Sequence, residues 1–284
     1  MELRSYPSAS AFLRDVQPWL AKEELHNSLM LGIASRVASA AQPPEDPPYF
    51  AAVIDGASVV FAALMTPPYR VVVCGETATA TEAIHLLLTD LREKRLPVPG
   101  VIGRTRIAAQ VAHAWAREVG EPAERTRNER LYALGRVEPV SAPGGTMRAA
   151  TSNDAPTLVP WLRAFHDEAI PDNPLEDPWR VAHRGIDNGR LFVWDAPEPV
   201  SMAGISRRTG AIISIAPVYT PTEYRNRGYG TALVAALSQR LLDAGHTTCC
   251  LFADLANPVS NHIYQKIGFR KVCDFAEITF GRGE

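Results

Sequence analysis

The chain has few cysteines, and their spacing excludes the sites that cysteine pairs usually build. Cys249 and Cys250 are adjacent, whereas Cys74 and Cys273 stand alone, so the 284 residues contain no Cys-x-x-Cys pair. We therefore expect neither a zinc site nor a disulfide framework. Successive side chains of a strand point to opposite faces, and we interpret the adjacent pair, which lies in an apolar run, as packing residues.

Long apolar runs and a strong excess of charge are also missing. No run approaches the roughly 18 apolar residues that span a bilayer, and Glu2, Arg4 and Asp15 interrupt the stretch that a signal peptide would need. The net charge of -2 argues against a broad surface for nucleic acid. We expect a soluble, cytoplasmic protein, a monomer or homodimer, with no nucleic-acid or membrane partner.

What the sequence does contain is one pattern of helices and strands that occurs twice. Hydrophobic residues make up 46% of the chain, and the turn-rich stretch SAPGGT at 141–146 divides it. On each side we predict one or two helices, three strands, and then helix, strand, helix and strand. The opening helix is predicted over about 10–40. The predicted fold is α/β, with two tandem domains over 1–140 and 146–284, each a twisted mixed sheet flanked by helices.

A stretch rich in glycine and arginine, EYRNRGYG at 223–230, stands immediately before a run with helical periodicity. The first amide groups of a helix have no internal acceptor and lie at the positive end of its dipole. Gly228 and Gly230 have no Cβ, so a ligand can approach the backbone there. Arg225 and Arg227 add positive charge. The stretch therefore predicts an anion site suited to a phosphate or pyrophosphate.

Two common phosphate-binding patterns do not fit this stretch. Tyr229 occupies the position at which a P-loop needs its lysine. Leu233 stands where the dinucleotide fingerprint needs a third glycine. The stretch is therefore expected to bind a phosphate group in a way that differs from both the P-loop and the dinucleotide-binding fold.

A second motif, NPVSNHIYQKIGF at 257–269, follows after one helix and one strand. Asn257 suits a helix N-cap, and Asn257, Ser260 and Tyr264 share one helical face. With their spacing, the two motifs resemble the GCN5-related N-acetyltransferase (GNAT) superfamily over about 146–280. The pattern of that superfamily is Arg-x-x-Gly-x-Gly, followed by Asn-x-x-Ala/Ser-x-x-x-Tyr and Gly-Phe.

The resemblance implies that acetyl-CoA binds between two central parallel strands that splay apart, here AIISIAPVYT and TTCCLFAD. Backbone groups of Val218 and Thr220 are expected to pair with the pantetheine arm, and amides of 226–231 to hold the pyrophosphate. Asn257 and Ser260 are expected to approach the arm from the other side. The cofactor-binding residues implied are Val218, Tyr219, Thr220, Arg225, Asn226, Arg227, Gly228, Tyr229, Gly230, Thr231, Asn257 and Ser260. No metal is expected.

The resemblance further implies an N-acetyltransferase in which an amine attacks the thioester directly. Tyr264 is expected to protonate the departing thiolate, and a backbone N–H near Val218 or Tyr219 to stabilise the thioester oxygen. Many relatives carry a glutamate on the strand before the phosphate loop, but AIISIAPVYT has no carboxylate. The candidates for the base are Glu168, which we prefer, Asp167, His166 and Asp254.

The first half departs from this pattern. Where the phosphate loop would stand, it has Gly75 as its single glycine, and Glu76 would repel a pyrophosphate. We expect a degenerate GNAT-like domain without a working CoA site that covers the catalytic half and helps to shape its acceptor pocket. The alternative is a purely structural or dimerisation module.

The acceptor is expected to be a small-molecule amine, whose identity the sequence does not give. Two other classes of function stay open. One is a non-catalytic acyl-CoA sensor or regulator, which the missing strand carboxylate favours and which Tyr264 opposes. The other is a structural or partner-binding protein whose glycine turn binds nothing.

Overall fold

The computed structural model describes the chain apart from residues 41, 43, 45, 77, 78, 142 and 282–284. Parts of the predicted interdomain turn and of the first-half loop therefore lie outside the described residues. The chain forms two compact units, Met1–Arg130 with Cys273–Glu284, and Leu131–Val272. These bounds differ from the predicted 1–140 and 146–284, because two strands are each divided between the units.

The two halves of the chain contain the same elements in the same order. In the first half these are β1 (Glu2–Ser5), α1 (Ala9–Leu20), α2 (Ser28–Ala38), β2 (Tyr49–Asp55), β3 (Ser58–Met65), β4 (Val71–Gly75), α3 (Ala80–Glu93), β5 (Gly100–Arg104), α4 (Thr105–Val119) and β6 (Ala123–Leu134). In the second half they are β7 (Thr146–Ala149), α5 (Ala155–Ala169), α6 (Pro178–Asp187), β8 (Leu191–Asp195), β9 (Pro199–Thr209), β10 (Ile212–Tyr219), α7 (Tyr229–Asp243), β11 (Thr248–Asp254), α8 (Pro258–Ile267) and β12 (Arg270–Phe280).

Each unit contains a mixed sheet with a parallel pair in it. The strand order in the first unit includes β1-β2-β3-β4-β5-β12, and β4 runs parallel to β5. In the second unit the order is β6-β11-β10-β9-β8-β7, and β10 runs parallel to β11. The last strand of the chain therefore completes the first unit, with Phe275 opposite Arg104 and Thr279 opposite Gly100. The predicted class, mixed α/β with two tandem copies, is confirmed.

The prediction of one helix over about 10–40 is wrong, because the chain bends between α1 and α2. A short 3-10 turn at Ala21–Glu23 follows α1. The side-chain Nδ2 of Asn27 donates to the carbonyl oxygen of Leu20 at 2.8 Å, which satisfies an acceptor left over at the end of α1. Apolar periodicity alone does not reveal this break, since both helices bury apolar side chains. Strand β1, which pairs with β2, was not predicted from the sequence.

The core of the second unit forms around α7, which packs against β8, β9, β10 and β11. Its buried residues are Thr231, Ala232, Leu233, Val234, Ala235, Leu237, Ser238 and Leu241. Cys249 and Cys250 are both buried, as packing residues would be. Each fully buried leucine or valine contributes about 1.5–3 kcal/mol, so this helix is fixed firmly against the sheet. Among the described helices, none is long and apolar enough to cross a bilayer.

The start of α5 is fixed by a charged capping network. Asp154 Oδ2 accepts hydrogen bonds from the backbone N–H and the hydroxyl of Thr151, at 2.7 and 2.9 Å. The Arg148 guanidinium binds both oxygens of the same carboxylate, at 2.8 and 2.9 Å, and also binds Asp195. Mainly through the Arg148 hydrogen bonds, the pKa of Asp154 falls to about 2. Helix α5 is thereby anchored to β7 and β8, and it carries Glu168 at its other end.

Candidate functional site

The parallel pairing of β10 with β11 stops well before either strand ends. The register runs from Ile212 opposite Thr248 to Ser214 opposite Cys250. Strand β10 continues over residues 215–219 and β11 over 251–254. Along this continuation the described pairing of β10 is with β9, and that register shifts between Ser214 and Ile215 and again before Val218. The other edge of β10 is therefore open to an extended ligand.

The glycine- and arginine-rich stretch forms a loop that opens directly into α7. Asn226 and Gly228 have positive φ angles of 62° and 82°. Gly228 is the N-cap, its carbonyl oxygen accepts from the Ala232 N–H at 3.0 Å, and no side chain caps the helix. A Cβ on Gly230 would lie 3.0 Å from Thr220 Oγ1. Gly228 thus supplies a left-handed backbone and Gly230 a close approach, and the first amides of α7 have no capping side chain.

Behind this loop lies a buried serine that the sequence analysis did not single out. Ser201 on β9 is fully buried. Its hydroxyl donates to the Tyr219 carbonyl oxygen at 3.1 Å and lies 2.9 Å from Thr220 Oγ1. The contacts fix the turn that leaves β10. The sequence gives no signal of this role, because the partners of Ser201 are distant from it in the chain.

Glu168, the preferred base, lies in a cluster with two predicted cofactor-binding residues. Arg225 Nη2 donates to both Glu168 oxygens, at 3.0 and 2.7 Å, and the Tyr219 hydroxyl donates to Oε1 at 3.2 Å. Arg225 also donates through Nε to the Thr220 carbonyl oxygen at 2.9 Å and lies 5.6 Å from the Tyr219 ring centroid. Burial and then the Glu168 carboxylate raise the pKa of Tyr219. The Arg225 guanidinium is thus directed at a carboxylate of this chain.

The other candidate bases are occupied by local structural contacts. His166 lies 2.8 Å through Nε2 from the Asn173 carbonyl oxygen, and 3.2 Å through Nδ1 from Asp167. Asp254 accepts from the Ala256 N–H at 2.8 Å, which shapes the turn after β11. These contacts account for the conformation of the two loops, so the side chains need no catalytic role to explain their positions. Glu168 is the candidate that lies at the end of β10.

The Asn–Tyr motif forms α8, as the sequence predicted. Asn257 is the N-cap, and its Oδ1 accepts from the Ser260 N–H at 3.0 Å. This cap occupies one side-chain atom that the resemblance assigns to ligand contact. Asn257 Nδ2 and the Ser260 hydroxyl have no hydrogen-bond partner among the described residues. Contact of these two groups with a pantetheine arm stays a prediction.

Tyr264 lies on α8 with its ring in the core of the second unit. It is 8% exposed, and its ring centroid lies 5.9 Å from that of Phe269 and 6.4 Å from that of Tyr132. Burial alone raises its pKa to about 12. Its hydroxyl has no hydrogen-bond partner within the described part of the chain. Tyr264 therefore keeps its proton at neutral pH and has an unused donor.

Comparison with known proteins gives the same assignment as the two motifs. Residues 199–277, which carry both, match the family described as FR47-like protein. A GCN5-related N-acetyltransferase from Sphaerobacter thermophilus aligns at a TM-score of 0.62 and 15% identity, over 99% of this chain and 96% of that one. A tandem GNAT protein from the clavulanic acid biosynthesis pathway aligns at 0.57 and 16% over the full length of both chains. The chain has the tandem GNAT fold.

A third solved structure, a Drosophila protein, gives a TM-score of 0.70 at 14% identity over 99% of both chains. At these identities the likeness concerns the fold and not the activity. The search of curated protein sequences gave no match.

In the first copy of the GNAT fold, a small cavity lies between the ends of the equivalent parallel strands and the segment that joins α1 to α2. Its volume is about 90 Å³, and its lining includes Trp19, Lys22, Cys74 and the ion pair of Arg104 Nη1 with Glu23 Oε2 at 2.9 Å. Burial raises the pKa of the Cys74 thiol to about 12, so the thiol is a poor nucleophile. The cavity is small beside ligand pockets of about 300–1,000 Å³.

Proposed function

We propose that the second unit is an acetyltransferase domain that moves an acetyl group from acetyl-CoA to a small-molecule amine, and that the first unit is a degenerate copy. The observation that carries this proposal is one juxtaposition in the second unit. The open edge of β10 leads directly through a left-handed glycine into the uncapped start of α7. An extended pantetheine arm needs an open strand edge, and the pyrophosphate that follows it needs a free helix N-terminus.

The residues present fit acetyl-CoA. Gly230 approaches Thr220 so closely that a side chain would fill the space, and Gly228 needs a backbone conformation that β-branched residues avoid. The amides of 226–231 would hold the pyrophosphate, and Val218 and Thr220 would pair with the pantetheine arm. Arg227, which is exposed, would add positive charge at the loop. When bound, acetyl-CoA would supply the acetyl thioester.

Tyr264 is the proposed general acid. With a pKa of about 12 its hydroxyl remains protonated across the neutral range, and the proton at Oη is available to a departing thiolate. A thiolate bound beside this hydroxyl would also be disfavoured by burial, which would raise the pKa of the thiol as well. Proton transfer can therefore remain favourable although a tyrosine in water is less acidic than a thiol.

Glu168 is the proposed base. Its ion pair with Arg225 affects how an amine can reach the carboxylate. The carboxylate is half exposed, at 50%, so an amine in solvent can reach it. A carboxylate that acts as a base takes the proton of the attacking amine. An approaching ammonium group would compete with Arg225 for the same oxygens. The neighbouring Tyr219 hydroxyl would keep one of these oxygens oriented during that exchange.

A screen of acetyl-CoA against a chemically diverse amine library, read by thiol release, tests the proposal. We expect turnover with at least one class of amine, and loss of turnover in the Tyr264→Phe variant. Saturable binding of acetyl-CoA without turnover, across a library that includes amino acids and aminoglycoside-like amines, would contradict the catalytic assignment.

A non-catalytic acyl-CoA sensor is the second candidate, and the occupied state of Glu168 favours it. A sensor needs the loop and the open strand but no base. Both candidates predict thermal stabilisation by acetyl-CoA, since a ligand at 100 times its Kd adds about 2.7 kcal/mol to the free energy of unfolding. Turnover separates the two. The absence of any thermal shift would instead favour a structural protein.

A further inference from the structure

We propose that Tyr132 is a positioning residue for the acetyl-CoA site, acting through Asn261 on the turn between β11 and α8. This inference rests on the proposed function. Tyr132 lies on β6 and is 1% exposed. It precedes the second half of the sequence, yet it belongs to the same compact unit as the site.

The hydroxyl of Tyr132 is fully engaged with α8. It donates to Asn261 Oδ1 at 2.8 Å and accepts from Gln265 Nε2 at 3.3 Å. Gln265 also donates to the Asn261 carbonyl oxygen at 3.1 Å. A buried hydroxyl with both a donor and an acceptor has one favourable orientation, so Tyr132 fixes the amide plane of Asn261.

Asn261 transmits this constraint to the turn. Its Nδ2 donates to the carbonyl oxygens of Asp254 and Asn257, both at 2.7 Å. With Oδ1 held by the Tyr132 hydroxyl, the side-chain amide binds three groups at once. The chain of hydrogen bonds therefore runs from β6, through one asparagine, to both ends of the segment 254–257.

The turn at 254–257 needs support because the last residues of β11 do not pair with β10. The parallel pairing with β10 ends at Cys250, so the ladder on that side does not hold residues 251–254. These residues and the turn form one wall of the opening that the acyl-CoA arm would enter. On its other side β11 is the neighbour of β6 in the sheet. Tyr132 on β6 and Asn261 extend this hold to the turn, and Tyr264 follows Asn261 by about one helical turn.

The experiment compares Tyr132→Phe with a matched control, Tyr49→Phe. Tyr49 lies in the first unit, is 6% exposed, and donates to Asp90 Oδ2 at 2.7 Å. Each variant removes one buried, hydrogen-bonded hydroxyl and keeps the ring. Losing such a bond destabilises a protein, so we expect both variants to lose stability. Asn261→Ala removes the next side chain in the same series of hydrogen bonds. It replaces Tyr132→Phe in the experiment if that variant does not fold.

The first measurement is amide hydrogen exchange of the ligand-free proteins over residues 254–261. We expect exchange to become about tenfold faster in Tyr132→Phe and in Asn261→Ala, and unchanged in Tyr49→Phe. Unchanged exchange in Tyr132→Phe overturns the inference. This readout does not depend on activity, so it decides the role of Tyr132 in the turn even if the protein binds no acetyl-CoA.

The second measurement is calorimetric titration with acetyl-CoA. We expect the Kd to rise about tenfold in Tyr132→Phe and to stay at the wild-type value in Tyr49→Phe. Faster exchange with an unchanged Kd would make Tyr132 a structural residue only and overturn its role toward the ligand. A wild-type protein that does not bind acetyl-CoA would refute the proposed function, which is a separate result.

Discussion

The parallel pairs β4–β5 and β10–β11 begin alike and end differently. Each pair is in register over three residues, from Val71 opposite Val101 in the first unit and from Ile212 opposite Thr248 in the second. Beyond the paired part, β4 has only residues 74–75, whereas β10 has 215–219. At about 3.3 Å per residue, the unpaired edge is more than twice as long in the second unit. The two units share the fold, but the long unpaired edge of β10 has no counterpart of equal length in β4.

The helices that follow these strands also begin differently. Helix α7 is preceded by Arg225, Arg227 and a left-handed Gly228, whereas Glu76 stands ahead of α3. In the first unit, Arg104 at the end of β5 is paired with Glu23 and lines the small cavity. Arg225 is likewise paired with Glu168, so Arg227 and the left-handed Gly228 are what distinguish the loop of the second unit. If acetyl-CoA binds to the second unit as proposed, strand length and loop charge, more than the fold itself, decide where its site forms.

The largest expected effect is that of Gly228→Val. Valine strongly avoids a φ of 82°, so the loop would have to change conformation, although space exists, with Pro143 3.8 Å from a built Cβ. We expect calorimetry to give one acetyl-CoA per wild-type chain and none for the variant. Gly245→Val is the matched control, because Gly245 has a φ of +96° just beyond the other end of α7. It should lose comparable stability and keep its affinity.

A stoichiometry of two in the wild-type protein would place a site in the first unit, and the contrast between the two strand pairs would then fail as an explanation. A stoichiometry of one in the folded Gly228→Val variant would show that binding does not need the left-handed glycine.

The next largest effect is that of Tyr264→Phe on turnover. The variant keeps the buried ring and its contacts with Tyr132 and Phe269, and removes only the hydroxyl. If this hydroxyl protonates the thiolate, kcat should fall by about 10²–10⁴-fold, with little change in affinity for acetyl-CoA. An undiminished kcat, where chemistry is shown to limit the rate, would make Tyr264 a wall of the slot.

Glu168→Gln should lower kcat by about 10²-fold, if the carboxylate takes the proton of the amine. Arg225→Ala is the matched control, because it breaks the same ion pair and leaves the carboxylate in place. Arg225→Ala should weaken acetyl-CoA binding by up to about fivefold, as expected for exposed charge pairs worth at most about 1 kcal/mol. Equal losses of kcat in both variants would show that the ion pair only holds α5 against the loop.

Sequence patterns predicted the repeated order of elements and the position of both motifs, because these depend on local periodicity and on residues close together. They did not predict the bend at Asn27, which depends on one side-chain hydrogen bond, or the pairing of β12 in the first unit. Within the site, the partners of Glu168 and the roles of Ser201 and Tyr132 were missed. Each depends on contacts between residues far apart in sequence.

The smallest expected effect concerns the pH dependence of stability, which tests whether Tyr264 is as deeply buried as the geometry indicates. Its pKa is about 12 in the folded chain and about 10 when unfolded. As pH rises past 10, the unfolded chain loses this proton first, so the wild-type protein loses stability that is fully present below pH 10. Between pH 9 and 11 the loss from this group is about 1.4 kcal/mol. Urea unfolding of the wild type and Tyr264→Phe at both pH values, with equal m-values, measures the difference. Parallel changes in the two proteins would mean that the hydroxyl reaches water freely, as it would if the slot in the second unit were wide open.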